Sequence, residues 1–300
     1  MNPSIYILVL TFNHWQDTRA CLESVYASDA ANARVVIIDN GSADETLDAL
    51  PREFPRALLI QNPANLGYAE GNNVGLRFAL EQGAEFAVVL NNDVTVARDW
   101  LAPLVNAARQ EPRGALFGPL VFHANEPNVI QSAGGILPRD WHAYHRGANE
   151  TDAGQFAQIE AVDWLTGCAV MARCEALREF GLLDAAFYMY GEDVDWCVRA
   201  ARAGYGVFCV PPSRVWHKGV QREYSPSPYI TYYSARNELQ LIRKHRGGAT
   251  ILLRAFLRHT GTVTSWSVRP RWRHQRAQRD ALARALRDFL RGVSGQISFV

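Results

Sequence analysis

The stretch Phe86-Ala-Val-Val-Leu-Asn-Asn-Asp-Val-Thr-Val96 begins as a short apolar run and stops abruptly at two carboxamides and a carboxylate, Asn91, Asn92 and Asp93. A continuous apolar run of this length predicts a strand covered on both faces, the pattern of a parallel sheet. Its polar tip reads either as a turn or as a place where something charged binds. The rest of the chain bears on that choice.

Strand and helix signals alternate on both sides of this stretch. Ile5–Thr11 reads as a strand, Trp15–Tyr26 as a helix and Arg34–Asp39 as a second, β-branched strand. Ser42-Ala-Asp-Glu45 has the spacing of a capping box opening a helix toward Leu50. A strand at 57–61, a helix at 67–80, a helix near 98–109 and a strand near 115–121 complete the first part. This alternation predicts an α/β fold: a mostly parallel sheet flanked by helices. From 122 to about 160 the text turns irregular, too long for a simple connector, and reads as a functional flap or a partly disordered segment. A compact pattern resumes at Val162 with a strand at 165–172, a helix over Cys174–Phe180, a polar-aromatic segment at 186–195, a helix to Ala203 and a strand at 205–210. After Pro228 the chain reads as helical, broken at Gly247-Gly248 and at Val268-Arg-Pro270.

Three hundred residues, 48% of them hydrophobic, suffice for a large core. No apolar run reaches the length of a membrane-spanning helix. The start lacks a basic segment and runs straight into a strand, which predicts no cleaved leader. Five scattered cysteines (21, 168, 174, 197 and 209) without a CxxC pair read as reduced thiols of a cytoplasmic protein. The net charge of +1 hides an asymmetry: residues 241–300 carry 13 Lys/Arg against 2 Asp/Glu, leaving 18 against 28 in residues 1–240. The tail is a separate electrostatic object.

In open α/β sheets ligands bind outside the carboxyl ends of the strands. Those ends here are Thr11-Phe-Asn13, Asp39-Asn-Gly-Ser42, Asn62-Pro-Ala-Asn65 and Asn91-Asn-Asp93. Four polar ends together point to a nucleotide-like ligand. No GxGxxG follows the first strand, and no GxSxG, HExxH or phosphate-cradling GxxxxGK[ST] occurs. Gly67, Gly71 and Gly75 share one helix face, which reads either as close helix–sheet packing or as backbone approach to a ligand. Glu192, Asp193 and Asp195 crowd the start of a helix, where they either complement its dipole or supply a general base of raised pKa. His217 ends a short apolar run, a position more often structural than ligating.

These segments, in this order, resemble the family-two glycosyltransferases, and in particular their bacterial rhamnosyltransferase-like branch. The resemblance rests on Thr11-Phe-Asn13, Val35–Ser42, Asn65-Leu-Gly-Tyr-Ala-Glu-Gly-Asn-Asn73, Leu90-Asn-Asn-Asp93, Gly191-Glu-Asp-Val-Asp195 with Cys197 and Arg199, and Trp216-His217, and spans about residues 4–246. It implies a GT-A fold with a catalytic domain over 1–228 (a nucleotide-sugar half at 1–121, an acceptor half at 122–228) and a basic helical region at 229–300. It also implies inverting transfer of a sugar from a nucleotide diphosphate to a saccharide or lipid-linked saccharide, as in bacterial surface polysaccharide synthesis. Asp39 resembles the base-binding aspartate, with Thr11, Asn13, Gly67, Asn72, Asn91 and Asn92 on the donor side. Asp93 occupies the place of the DxD metal ligand for Mg²⁺ or Mn²⁺, and His217 is similar to a histidine that completes the metal site in some members. Asn91 stands where the first DxD carboxylate would be, so a two-carboxylate clamp is not expected. Asp193 matches the catalytic base, with Glu192 beside it. Trp164, Tyr188 and Tyr190 are expected to wall the acceptor site, and Arg236 to contact an anionic acceptor. The favoured donor is dTDP-rhamnose, with a UDP-hexose as alternative; a catalytically silent nucleotide-sugar-binding or scaffold protein is the rival from another class.

The tail mixes Leu, Ile, Phe and Trp with Arg. Over 279–291, Leu282, Leu286 and Phe289 or Leu290 gather on one helical face. That face is expected to pack on the body or a second copy, or to lie on an anionic membrane. No nucleic-acid recognition module is evident.

Overall fold

A computed structural model describes residues 3–30, 32–219 and 226–298. In chain order the elements are β1 (Ile5–Thr11), α1 (Trp15–Tyr26), β2 (Arg34–Asp39), α2 (Thr46–Glu53), β3 (Leu58–Gln61), α3 (Gly67–Glu81), β4 (Phe86–Asn91), β5 (Val94–Val96), α4 (Leu101–Gln110) and β6 (Gly114–His123). Then follow β7 (Glu126–Ser132), β8 (Gly135–Ile136), β9 (Tyr144–His145), β10 (Glu160–Ala161), β11 (Ala169–Arg173), α5 (Cys174–Phe180), α6 (Glu192–Arg202) and β12 (Gly206–His217). Three helices end the chain: α7 (Pro228–Lys244), α8 (Ala249–Val268) and α9 (Arg276–Leu290), with a 3₁₀ turn over Pro270–Gln275 between the last two.

The main sheet runs β10-β12-β6-β11-β4-β1-β2-β3, with β5 on β12 and β7 on β6. Strands β3, β2, β1 and β4 are mutually parallel, and their apolar runs are continuous because alternate side chains enter two different cores. Ile5, Ile7, Val9, Val88 and Leu90 fill one; Tyr6, Leu8, Ala87 and Val89 fill the other. β11 departs from the expected parallel pattern: it inserts antiparallel between β4 and β6. It is also shorter than the strand expected at 165–172, because 165–168 leave the sheet as a loop that enters the site below. All five cysteines are buried and free.

From β1 the chain moves outward through β2 and β3, then returns to lay β4 on the other side of β1. That reversal opens a crevice at the carboxyl ends of β1 and β4, where Asn91, Asn92 and Asp93 sit. The helix over α3 closes against the sheet through Gly71 and Gly75: a Cβ on either would come within 2.8 Å of Leu10 or 2.7 Å of Ile38. Close packing is therefore the reason for those two glycines. Gly67 differs. Its φ is +81°, and an added Cβ would come within 2.3 Å of the Tyr188 ring. Gly67→Ala combines a left-handed strain with overpacking and is expected to cost about 2–4 kcal/mol, checked by urea unfolding.

Two local expectations change. Ser42 and Glu45 form no capping box; the Ser42 hydroxyl accepts from Asn13 N–H at 2.7 Å, and Asp44 takes the Thr46 N–H at 3.1 Å and hydroxyl at 2.5 Å. The irregular segment after Phe122 is built of short antiparallel pieces, β7 on β6 and β8 on β9, with a bridge from Val129 to Thr151. The helical tail breaks where expected. The apolar face of α9 (Leu282, Leu286 and Phe289) is buried, packed toward α7 and α8.

Candidate active site

A cleft of about 890 Å³ opens at the carboxyl ends of β4 and β6, a size suited to a small polar ligand. One wall comes from the β4–β5 turn and the end of β12. Because β5 pairs antiparallel with β12, Val94 stands opposite His217, which brings Asp93 beside the imidazole. Asp93 Oδ1 lies 3.3 Å from His217 Nε2, and its Oδ2 accepts from Gly219 N–H at 3.2 Å. Burial acts to raise the Asp93 carboxyl, but the His217 contact and charge, with backbone N–H groups, outweigh it and hold it below the ordinary carboxylate range.

His217 Nδ1 is 2.7 Å from Gln131 Oε1. A carbonyl only accepts, so Nδ1 carries the hydrogen it gives to Gln131, and Nε2 is left to face Asp93. Two electron-rich atoms at that separation are stable with a proton or a cation between them. That donor set fits a divalent ion with an outer hydrogen bond orienting the histidine. No group of three or more His, Cys, Asp or Glu gathers as a metal site among the described residues.

The opposite wall is the start of α6. Gly191 at φ 90° and Tyr190 at φ 65° turn the chain sharply into the helix. Asp193 accepts from Gly167 N–H at 3.1 Å and from Val194 N–H at 2.8 Å. Glu192 is buried, and its Oε2 has no hydrogen-bond partner among the described residues. Burial raises both carboxyls; for Glu192 the neighbouring Asp193 charge raises it further, well above its ordinary value. Asp195, one turn on, faces away from the cleft into Arg199, Lys244 and His245.

Trp164 lines the cleft, with its indole N–H donating to Ile136 O at 3.3 Å and its ring 4.7 Å from that of His145. Burial, then the charges of His217 and His123, push His145 down to about 4, so it stays neutral. Tyr190 also lines the cleft.

Several expected site residues lie elsewhere. Arg236 is 0% exposed and donates to Gly295 O, Phe187 O and Asn237 Oδ1, so it contacts no acceptor. Together with Asn237, whose amide donates to the carbonyls of Phe187, Met189 and Tyr190, it clamps the turn that launches α6. Tyr188 is buried and stacked on Tyr233 at 5.2 Å, a core residue rather than an acceptor wall. Asn72 is buried and donates to Tyr68 O. The Thr11 hydroxyl is bonded to Thr18, its carbonyl accepts from Asn40 N–H, and Asn92 donates to the Thr18 hydroxyl. Asp39 is 1% exposed, its carboxylate accepting from Gly41 and Ser42 N–H, so it shapes the donor-side loop from within. Asn13 likewise ties that loop by accepting from Ala43 N–H at 2.8 Å. Asn40, Asn62 and Asn65 bond one another and the start of α3. Of the donor-side set, Asn91 alone lines the large cleft; Asn13 borders a smaller hollow beside α1.

Residues that no motif marked are equally part of the site. Gly167 holds Asp193 and accepts the Tyr68 hydroxyl at 2.5 Å, Gln131 fixes His217, and His145 braces Trp164. They sit in stretches that read as a plain strand or an irregular loop.

The model of glycosyl transferase family 2 matches residues 6–181. The chain belongs to glycosyl transferase family 2. The matched segment ends before α6, so Asp193 and His217 lie outside it. Over 282 residues, 86% of this chain and 90% of the relative, the glycosyltransferase is 25% identical to the N-acetylglucosaminyl-diphospho-decaprenol L-rhamnosyltransferase of Mycobacterium tuberculosis. It is 22% identical to the dTDP-rhamnosyl transferase RfbF of Shigella flexneri, over 82% of each chain. The mannosyltransferase PcManGT from Pyrobaculum calidifontis, solved with GDP-Man and Mn²⁺, superposes with a TM-score of 0.59 at 18% identity, covering 97% of this chain and 88% of that one. The fold is GT-A-like.

Proposed function

We propose that this glycosyltransferase moves L-rhamnose or a related deoxysugar, with inversion, from a dTDP-sugar to a saccharide carried on a lipid diphosphate, in the cytoplasm, during assembly of a bacterial surface polysaccharide. The observation that carries this reading is the opposition, across one cleft, of the Asp93–His217 pair and the Asp193 carboxylate. The names of the two rhamnosyl-transferring relatives support the donor and acceptor classes.

Asp193 acts as the base. Its carboxylate, fixed by Gly167 and Val194 N–H, takes the proton of the acceptor hydroxyl as that oxygen attacks the anomeric carbon. The sugar–phosphate bond breaks on the opposite face, and no covalent enzyme intermediate is needed. Trp164 and Tyr190 offer apolar surface to sugar rings, and Glu192 lies beside the reacting hydroxyl. Asn91 and the loop shaped by Asn13 and Asp39 border the donor. Asp93 and His217 would hold Mg²⁺ or Mn²⁺, which when bound neutralises charge on a diphosphate.

His217→Ala is expected to raise the divalent-ion concentration needed for half-maximal turnover by at least about tenfold, and EDTA to abolish turnover of the parent. Unchanged turnover in EDTA would sink the metal assignment. A thermal-shift panel of dTDP-, UDP- and GDP-sugars with Mn²⁺ tests the donor, since a ligand at one hundred times its Kd stabilises the fold by about 2.7 kcal/mol. A shift with UDP-hexoses alone replaces the donor. Binding without turnover of any donor–acceptor pair makes the protein a silent binder.

A further inference from the structure

We propose that α8 and the turn after it form a docking surface for an anionic lipid bilayer. One side of α8 is committed to the protein: Ala255 is buried, and Ile251, Leu252, Phe256 and Val263 pack on Leu239, Ile242, Leu286 and Phe289. The outward side carries large apolar side chains too, among arginines and small polar residues. Leu253 and Leu257 are each 57% exposed and Val268 is 70% exposed. With Gly261 and Thr264 between them they recur at helical spacing along one outward stripe. A surface helix normally turns polar residues to water, so a second apolar stripe calls for something to cover it.

Charge identifies what covers it. The stripe runs into Arg269, Arg271 and Arg273, all exposed, with the Arg271 guanidinium 4.9 Å from the Trp272 ring. Arg254 is exposed beside Leu253. Residues 241–300 hold 13 Lys/Arg against 2 Asp/Glu. Exposed apolar side chains followed along the chain by a tryptophan and arginines match the acyl boundary and headgroups of an anionic membrane. A second copy docked symmetrically through this stripe would set one arginine cluster against another. A nucleic acid would leave the leucines unused. No helix among the described residues is long and apolar enough to cross a bilayer, so the contact is one of lying on the surface.

The position of the surface matters to the cleft. α7 lines that cleft through Ile230, Ser234 and Glu238, and Glu238 also holds Arg258 and His259 of α8, the latter at 2.8 Å. The bilayer-facing helix is thus pinned to a residue of the cleft wall, next to where an acceptor carried on a lipid would enter. This link to the acceptor rests on the proposed function; the docking surface itself does not.

The test is co-sedimentation of the full chain with phosphatidylcholine vesicles, with and without phosphatidylglycerol, at low and high salt. Binding is expected only with phosphatidylglycerol and is expected to weaken at high salt. Leu253→Ser/Leu257→Ser is expected to lower the partition coefficient at least about tenfold. Arg269→Glu/Arg271→Glu/Arg273→Glu is expected to lower it about a hundredfold or more, each basic residue at such a surface being worth about fivefold. Both variants are expected to keep the parent's Tm and its turnover of donor with a soluble acceptor. No binding to phosphatidylglycerol vesicles, or variants that bind like the parent, overturns the proposal. So does a dimer in sedimentation velocity that the leucine variant dissociates. Vesicle binding involves no sugar, so its failure leaves the transferase reading standing, and an inactive transferase leaves the docking result standing.

Discussion

Asp193→Asn is expected to lower kcat for sugar transfer by about 10²- to 10⁴-fold, the usual contribution of a positioned general base. The substitution keeps side-chain volume and one oxygen for Gly167 or Val194 N–H, so Tm and donor-induced thermal shifts are expected to stay near the parent's. Loss of kcat with intact donor binding separates a base from a structural carboxylate. Near-parental transfer would remove Asp193 from the chemistry. The parent's pH profile adds a second signature. Burial raises the Asp193 carboxyl, and the base must be ionised to accept a proton, so the acidic limb of kcat/KM lies above the pH at which an ordinary aspartate titrates. Glu192 is lifted further, by burial and by the Asp193 charge, and two carboxyls so close titrate as a pair. An acidic limb at the ordinary aspartate pKa would show that the base is a solvated group elsewhere.

What the sequence made legible follows from what side-chain patterns encode. Continuous apolar runs encode burial on both faces, and β1, β2 and β4 fall where those runs fall. They do not encode direction, so nothing in Ala169–Arg173 announces that β11 enters antiparallel. Polar strand ends encode a need for hydrogen bonds without naming the partner. Asn40, Asn62 and Asn65 find theirs in one another, whereas Asn91 faces the cleft. The pairing of Asp93 with His217 depends on β5 lying against β12, a long-range contact that local pattern cannot carry. Amphipathic spacing shows which residues share a face and not what covers it. The face of α9 that looked fit for a membrane is buried in the protein, and the outward stripe lies on α8 instead. Arg236 stands in the segment that resembled the family, and its service to the site is indirect, through the carbonyl of Phe187.

Asp195→Ala is expected to cost about 3–5 kcal/mol of folding stability, because it strips a fully buried carboxylate from the midst of three basic groups. Asp195 is 0% exposed and meets Arg199 Nε at 2.8 Å, Lys244 Nζ at 2.6 Å and His245 Nε2 at 2.8 Å. Burial alone would raise its carboxyl; the His245 hydrogen bond and the Arg199 and Lys244 charges bring it down to about 2. A folded pKa below the unfolded one means that ionisation favours the native state. The contribution, roughly 2–3 kcal/mol for a depression of this size, is fully present above the unfolded value near 4 and is lost as pH falls toward 2. Urea unfolding of parent and variant is therefore expected to show a constant stability gap from pH 7 to about pH 5, narrowing at pH 3. A gap that does not change with pH would assign the effect to lost packing rather than to charge. Lys244 has a second partner in Asp184 at 2.6 Å and can turn to it, which places the cost toward the lower end. The damage reaches function because the cluster ties the first turn of α6 to the end of α7, and His245 stacks at 5.4 Å on Trp141 of the cleft wall. Asp193 lies on that same turn. Releasing the tie is expected to lower kcat several-fold even where the variant remains folded, and Asp195→Glu, which restores the charge with one methylene too many, is expected to recover stability only in part.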